Sequence, residues 1–125
     1  MKFSTKAEYG MRAIVHLAKK SGLVSLAEIA KQEHLSLAYL ERIFALLKKA
    51  NIVTSFKGTN GGYALARKAE QIKVSEIIQA LEGSLYELKC GACHVGGCSV
   101  NRVWNRLYDQ INKTLNSISL KSLIK

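Results

Sequence analysis

Ser25-Leu26-Ala27-Glu28-Ile29-Ala30, followed six residues later by Ser36-Leu37-Ala38-Tyr39-Leu40-Glu41-Arg42-Ile43-Phe44, is the stretch that decides the fold. Each half opens on a serine, the residue whose side-chain oxygen best satisfies the free N–H groups at a helix start. Ser25 and Glu28 have capping-box spacing, so hydroxyl and carboxylate are each expected to accept a backbone N–H. Leu26, Ile29 and Ala30 recur at helical spacing, as do Leu37, Leu40, Ile43, Phe44 and Leu47, which are expected to form a buried stripe. Two short helices joined by a few residues, with small Ala30 at their crossing, read as a helix-turn-helix. An ordinary helical hairpin inside a core has the same local pattern.

The sequence downstream favours the DNA-reading version. Ile52-Val53-Thr54-Ser55-Phe56 and Tyr63-Ala64-Leu65 read as strands, separated by Lys57-Gly58-Thr59-Asn60-Gly61-Gly62. A hairpin directly after a helix-turn-helix is a wing. Its glycine-rich tip lets backbone approach phosphates or a minor groove, and Lys57 supplies charge there. Upstream, residues 6–20 carry Tyr9, Met11, Ala13, Ile14, Val15, Leu17 and Ala18 at helical spacing. Residues 74–82 form a further helix with Val74, Ile77, Ile78 and Leu81 inward, ended by Gly83. Over about 100–117, Val100, Trp104, Leu107, Ile111, Leu115 and Ile118 make one continuous apolar seam. Such a terminal seam packs on a copy of itself or on its own domain. A short capped helical tail over Ser119 to Ile124 follows.

Composition agrees with this frame. The chain has 125 residues, 48% of them hydrophobic, enough for a core, and a net charge of +10 that points to an acidic partner: nucleic acid first, an anionic membrane surface second. Residues 1–80 hold thirteen Lys and Arg against six Asp and Glu, so most of the excess lies where the reading head is expected. No apolar run has the length of a membrane span and the first residues lack a signal-peptide core, so a cytoplasmic protein is expected. No nucleophile-elbow, phosphate-loop or metalloprotease motif is present, so an enzyme is not expected.

Three cysteines, an odd number, lie within nine residues: Cys90, Cys93 and Cys98. An odd cluster in a reducing compartment points to metal binding or redox chemistry rather than a disulfide framework. The expected organisation is therefore mainly α with a small β-hairpin. Residues 1–83 form a winged helix-turn-helix, 84–99 a cysteine loop, and 100–125 a long dimerisation helix with its tail.

Taken together, these segments resemble the IscR/NsrR/CymR family of winged-helix transcription regulators over nearly the whole chain. The marks are Ser4-Thr5-Lys6-Ala7-Glu8-Tyr9-Gly10-Met11-Arg12-Ala13, Val24 to Ala30, and Tyr39-Leu40-Glu41-Arg42-Ile43-Phe44. The wing Gly61-Gly62-Tyr63-Ala64-Leu65-Ala66-Arg67 and the cysteine loop before Val103-Trp104 complete them. The resemblance implies a homodimer on a palindromic duplex and, for cysteine-bearing members, an iron–sulfur cluster of 2Fe-2S or 4Fe-4S type that senses redox state, nitric oxide or iron supply. It places recognition contacts at Ser36, Ala38, Tyr39, Glu41 and Arg42, with Glu41 accepting from a cytosine amino group, and wing contacts at Lys57, Gly58 and Thr59. Lys57 stands where the family often has Arg, and His34 where its turn often has Gly.

The cysteines supply three ligands of the usual four. IscR-like members place His three residues after the last cysteine, where this chain has Asn101. The fourth ligand therefore falls to Glu8 from the partner subunit, favoured by analogy with redox-sensing relatives, to His94, or to an exogenous group. Structural zinc on the same thiols and redox-active free thiols stay open. So do two other functions, an iron–sulfur carrier or scaffold and a clusterless thiol-responsive repressor.

Overall fold

The computed structural model describes residues 4–20, 22–58, 61–83 and 99–124. Helix α1 (Thr5–Lys19) starts at Ser4, whose hydroxyl accepts the Ala7 N–H at 3.3 Å. Helix α2 (Leu26–Glu33) starts at Ser25, whose hydroxyl accepts the Glu28 N–H at 3.2 Å. The expected return bond from the Glu28 carboxylate is replaced. Lys20 Nζ donates to Glu28 Oε1 at 2.8 Å, a charge-assisted bond stronger than one from a neutral backbone N–H. That bond holds the Glu28 carboxyl below the usual carboxylate range.

His34 ends α2 at φ 57°, ψ 44°, a left-handed conformation that His tolerates better than most residues, so the tight turn forms without glycine. Helix α3 (Leu37–Lys49) follows at once, with the Ser36 hydroxyl accepting the Tyr39 N–H at 3.1 Å. Leu40, Ile43, Phe44 and Leu47 on α3 are fully buried. Leu37 is not part of that stripe: it is 46% exposed. The first turn of α3 projects beyond the core, whose α3 members begin at Leu40.

Strands β1 (Val53–Phe56) and β2 (Gly62–Leu65) pair antiparallel, with Val53 opposite Leu65 and Phe56 opposite Gly62. On the other edge of β2, Val24 and Tyr63 exchange two backbone hydrogen bonds, at 2.8 and 2.9 Å. This bridge explains a glycine that flexibility alone does not. A Cβ at Gly62 would stand 2.7 Å from the Val24 carbonyl oxygen, so the close approach requires its absence. Tyr63 then meets Phe44 edge-on, ring centroids 5.0 Å apart, and so docks the hairpin on α3.

Helix α4 (Val74–Glu82) ends at Gly83, φ 77°. It crosses α1 so closely that a Cβ on Gly10 would lie 2.3 Å from Leu81 Cδ1. At the start of α4, Glu76 Oε2 accepts the Lys73 N–H and Oε1 accepts Arg67 Nη2, each at 2.9 Å. Burial pushes the Glu76 carboxyl up, but these two donors outweigh it and hold it below its ordinary 4.5. Folding lowers this pKa, so the stabilisation is full above the unfolded value and is lost as pH falls through the folded one. The pair is partly exposed, which limits it to under about 1 kcal/mol. Glu76→Gln is expected to flatten part of the fall in thermal midpoint between about pH 5 and pH 3, read by circular dichroism. A parallel pair of profiles would contradict it.

Helix α5 (Ser99–Asn116) returns the chain to the head. Ile118 accepts the Val74 N–H at 2.9 Å, Leu120 donates to Ile72 at 2.8 Å, and a 3-10 turn follows over Leu120–Leu123. Leu120 is fully buried in the same core as Ile14, Phe44 and Ile77. Leu115 and Ile118 lean on a second cluster of Ala7, Val74 and Ile78.

Candidate nucleic-acid interface and cluster site

The outward side of α3 carries Leu37, Ala38, Glu41 and Arg42, all exposed. Of the residues expected there, Ser36 is exposed but its hydroxyl serves the cap, and Tyr39 is half-buried. Tyr39 packs edge-on against Tyr9 of α1, centroids 6.2 Å apart. Glu41 and Arg42 are therefore the long polar side chains that the first half of this face offers. In the hairpin, Lys57 and Gly58 are exposed, Gly58 at φ 116°, and Thr59 lies outside the described residues. Lys48, near the end of α3, bonds Ser55 of β1 at 2.7 Å, so helix and wing are tied together.

Glu8 is exposed on the first turn of α1. Cys90, Cys93, Cys98 and His94 lie outside the described residues, and among those described no group of His, Cys, Asp and Glu assembles into a metal site. The chain enters the cysteine stretch after Gly83. One residue earlier, the Glu82 carboxylate accepts both the backbone N–H of Ser4, at 3.0 Å, and the Ser4 hydroxyl. The first turn of α1, with Glu8, thus sits beside the point where that stretch begins. From there α1 reaches α2: Arg12 Nη2 lies 3.3 Å and His16 Nδ1 3.8 Å from the Glu33 carboxylate.

On α5, Val100, Val103, Trp104 and Leu107 share one face and are all exposed, Trp104 by 48%. The seam is thus divided. Its C-terminal third packs on the chain's own head, and its N-terminal half is uncovered. Among the described residues no helix is long and apolar enough to cross a membrane.

A family model described as Rrf2, iron-dependent transcriptional regulator, matches residues 3–125. The chain belongs to the Rrf2 family. Its likeness to the transcriptional regulator IscR of Cereibacter sphaeroides is 43% identity, covering the whole of this chain and 88% of that one. Among solved structures it is similar to CymR, the global cysteine regulator of B. subtilis, with a TM-score of 0.87, 34% identity, and coverage of 99% of this chain and 96% of that one. It is similar also to IscR of T. potens, with a TM-score of 0.83, 40% identity, and coverage of 99% and 86%. This Rrf2 chain is therefore a transcription regulator rather than an enzyme, and its mainly helical fold with a two-stranded hairpin is that of winged-helix members. Sequence reasoning missed three parts of its surface: exposed Leu37, the Ser4–Glu82 tie and the Arg12–Glu33 contact. Only Leu37 had a local signal, its place directly after the capping serine, where a helix is still emerging from the core.

Proposed function

We propose that this Rrf2 protein is a homodimeric regulator that binds a palindromic DNA duplex and senses redox state, nitric oxide or iron supply through an iron–sulfur cluster. Residues 1–83 form the reading head, 84–99 the cluster loop and 100–125 the dimerisation helix and tail. Cys90, Cys93 and Cys98 provide three ligands and the partner subunit's Glu8 the fourth, with His94 as the alternative. Ser36, Ala38, Tyr39, Glu41 and Arg42 face the major groove, and Lys57, Gly58 and Thr59 the adjacent backbone. The carrying observation is the exposed side of α3, where Glu41 and Arg42 stand on the second helix of a helix-turn-helix; the partner's Glu8 is proposed by analogy with redox-sensing relatives.

The residues fit such a group in chemistry. Thiolates are its usual donors, and a carboxylate is a harder, more exchangeable one. A bound cluster supplies iron that changes oxidation state and exchanges ligands. The rest is done by the chain. Glu8 lies on α1, whose capping Ser4 bonds Glu82 of α4 and whose Arg12 pairs with Glu33 of α2. Were Glu8 to hold the cluster, a change in that ligation would act on α1 and through it on α2 and α3, and so would change the spacing of two reading heads and their affinity for the duplex. The uncovered face of α5 supports the dimer, because apolar residues at helical spacing gain most by packing on a second copy.

The test is anaerobic purification with a visible spectrum and iron and sulfide analysis, comparing the parent with Glu8→Ala. Matched iron and sulfide in a brown protein, and faster bleaching in Glu8→Ala, are expected. Loaded and cluster-free protein are expected to differ in affinity for a selected duplex. A colourless protein with about one zinc per chain, or equal affinity in both forms, would remove the sensor and leave a winged-helix regulator.

A further inference from the structure

Helix α3 keeps its large apolar side chains inward with one exception. Leu40, Ile43, Phe44 and Leu47 are buried and Leu46 is partly so, whereas Leu37 stands 46% exposed. A single exposed leucine needs no special account on an ordinary surface. The position of this one is not ordinary. It is the first residue of α3, directly after the Ser36 cap, and the N-terminal residues of a recognition helix are those that reach base edges. Ala38 is exposed beside it, and Glu41 and Arg42, about one turn on, are the first charged groups of α3.

A major groove presents hydrogen-bond donors, acceptors and one apolar group, the C5-methyl of thymine. We infer that Leu37 is a specificity-determining residue that reads this methyl group in the operator. The inference rests on the DNA-binding reading above and deepens it. Leu37 and Glu41 are one turn apart, about 6 Å along the helix. Base pairs are stacked about 3.4 Å apart. The thymine therefore lies within about two base pairs of the cytosine whose amino group Glu41 accepts. The water that hydrates both the leucine and the methyl group is released when they meet, which gives the contact its sign.

Deoxyuridine differs from thymidine in its base by that methyl alone, so the test can be made at single-group resolution. The full-length protein first selects its preferred duplex from a random library. Each thymine of that duplex is then replaced by uracil, one at a time, and affinity is read by fluorescence anisotropy. Replacement of a single thymine in one half-site is expected to weaken binding about fourfold, the worth of one buried methyl. Leu37→Ala is expected to bind the thymine and uracil duplexes equally, with an unchanged salt slope and thermal midpoint. Leu37→Met, which keeps an apolar reach, is expected to retain part of the discrimination. Glu41→Ala locates the neighbouring cytosine by relaxing preference there.

Uniform tolerance of uracil by the parent overturns the inference. So does a thymine preference that persists unchanged in Leu37→Ala, or one mapped more than about two base pairs from the Glu41-dependent cytosine. Failure to select any duplex overturns the DNA-binding reading itself, a result distinct from the others.

Discussion

Phe44→Ala is expected to cost about 3–5 kcal/mol of unfolding free energy, the cost of deleting a large aromatic from a tight core. Phe44 is fully buried, lies on the same α3 face as Leu40 and Leu47, and takes Tyr63 of the hairpin edge-on at 5.0 Å. Its loss therefore removes a side chain from the helix and an anchor from the wing. Small domains have roughly 5–15 kcal/mol in total, so urea titration should show a much earlier midpoint, and duplex binding should fall in parallel. Phe44→Leu, closer in volume, is expected to recover most of the loss. A deficit below about 1 kcal/mol for the alanine variant would mean that the core collapses around the gap, and that α3 and the hairpin are joined mainly by other contacts.

Trp104→Glu should do the reverse, sparing the fold and abolishing the assembly. Trp104 is 48% exposed, with Val100, Val103 and Leu107 beside it, so a carboxylate there disturbs no core of its own chain. At the centre of a self-packed face it would be a buried, unpaired charge, which association cannot tolerate. Sedimentation is expected to give the mass of one chain. Affinity for the palindromic duplex should fall about 10²–10⁴-fold, since linkage of two heads is lost, while binding to a single half-site stays near the parent's. A variant that sediments as a dimer would place the subunit contact elsewhere and leave the uncovered face of α5 without a partner.

The helices were legible because each hides one stripe. Ser25 and Ser36 cap real starts, Gly83 a real stop, and Val74, Ile77, Ile78 and Leu81 are all buried. Leu37 shows where periodicity fails: the apolar pattern runs on through the first residue of α3, but the core does not extend that far. Glu28 shows a different failure. The spacing of a capping box is local, and the ammonium of Lys20 that takes its carboxylate comes from another helix end. The pairing of Val24 with Tyr63, and of residues 118–120 with 72–74, had no local signature, because an isolated bridge requires only that two distant segments meet. The apolar seam of α5 read as continuous because periodicity gives a direction and not a neighbour. Ile118 turns toward Val74 while Trp104 is left uncovered.

For the proposed cluster site the sequence offers chemistry alone, since Cys90, Cys93, Cys98 and His94 lie outside the described residues. Three cysteines in nine residues announce a soft-ligand site by themselves. No spacing rule connects those cysteines to Glu8, the carboxylate proposed from the partner subunit.

The stitch between residues 118–120 and 72–74 has a consequence for the order of events during synthesis. A ribosome makes the helix-turn-helix, hairpin and α4 first, yet the core they share stays open until Leu120 is free to enter it beside Ile72. Domains usually fold as units while the chain emerges N-terminus first. Here the unit cannot close before Cys90, Cys93 and Cys98 have emerged. The three cysteines are therefore outside the ribosome before the core formed on either side of them is closed.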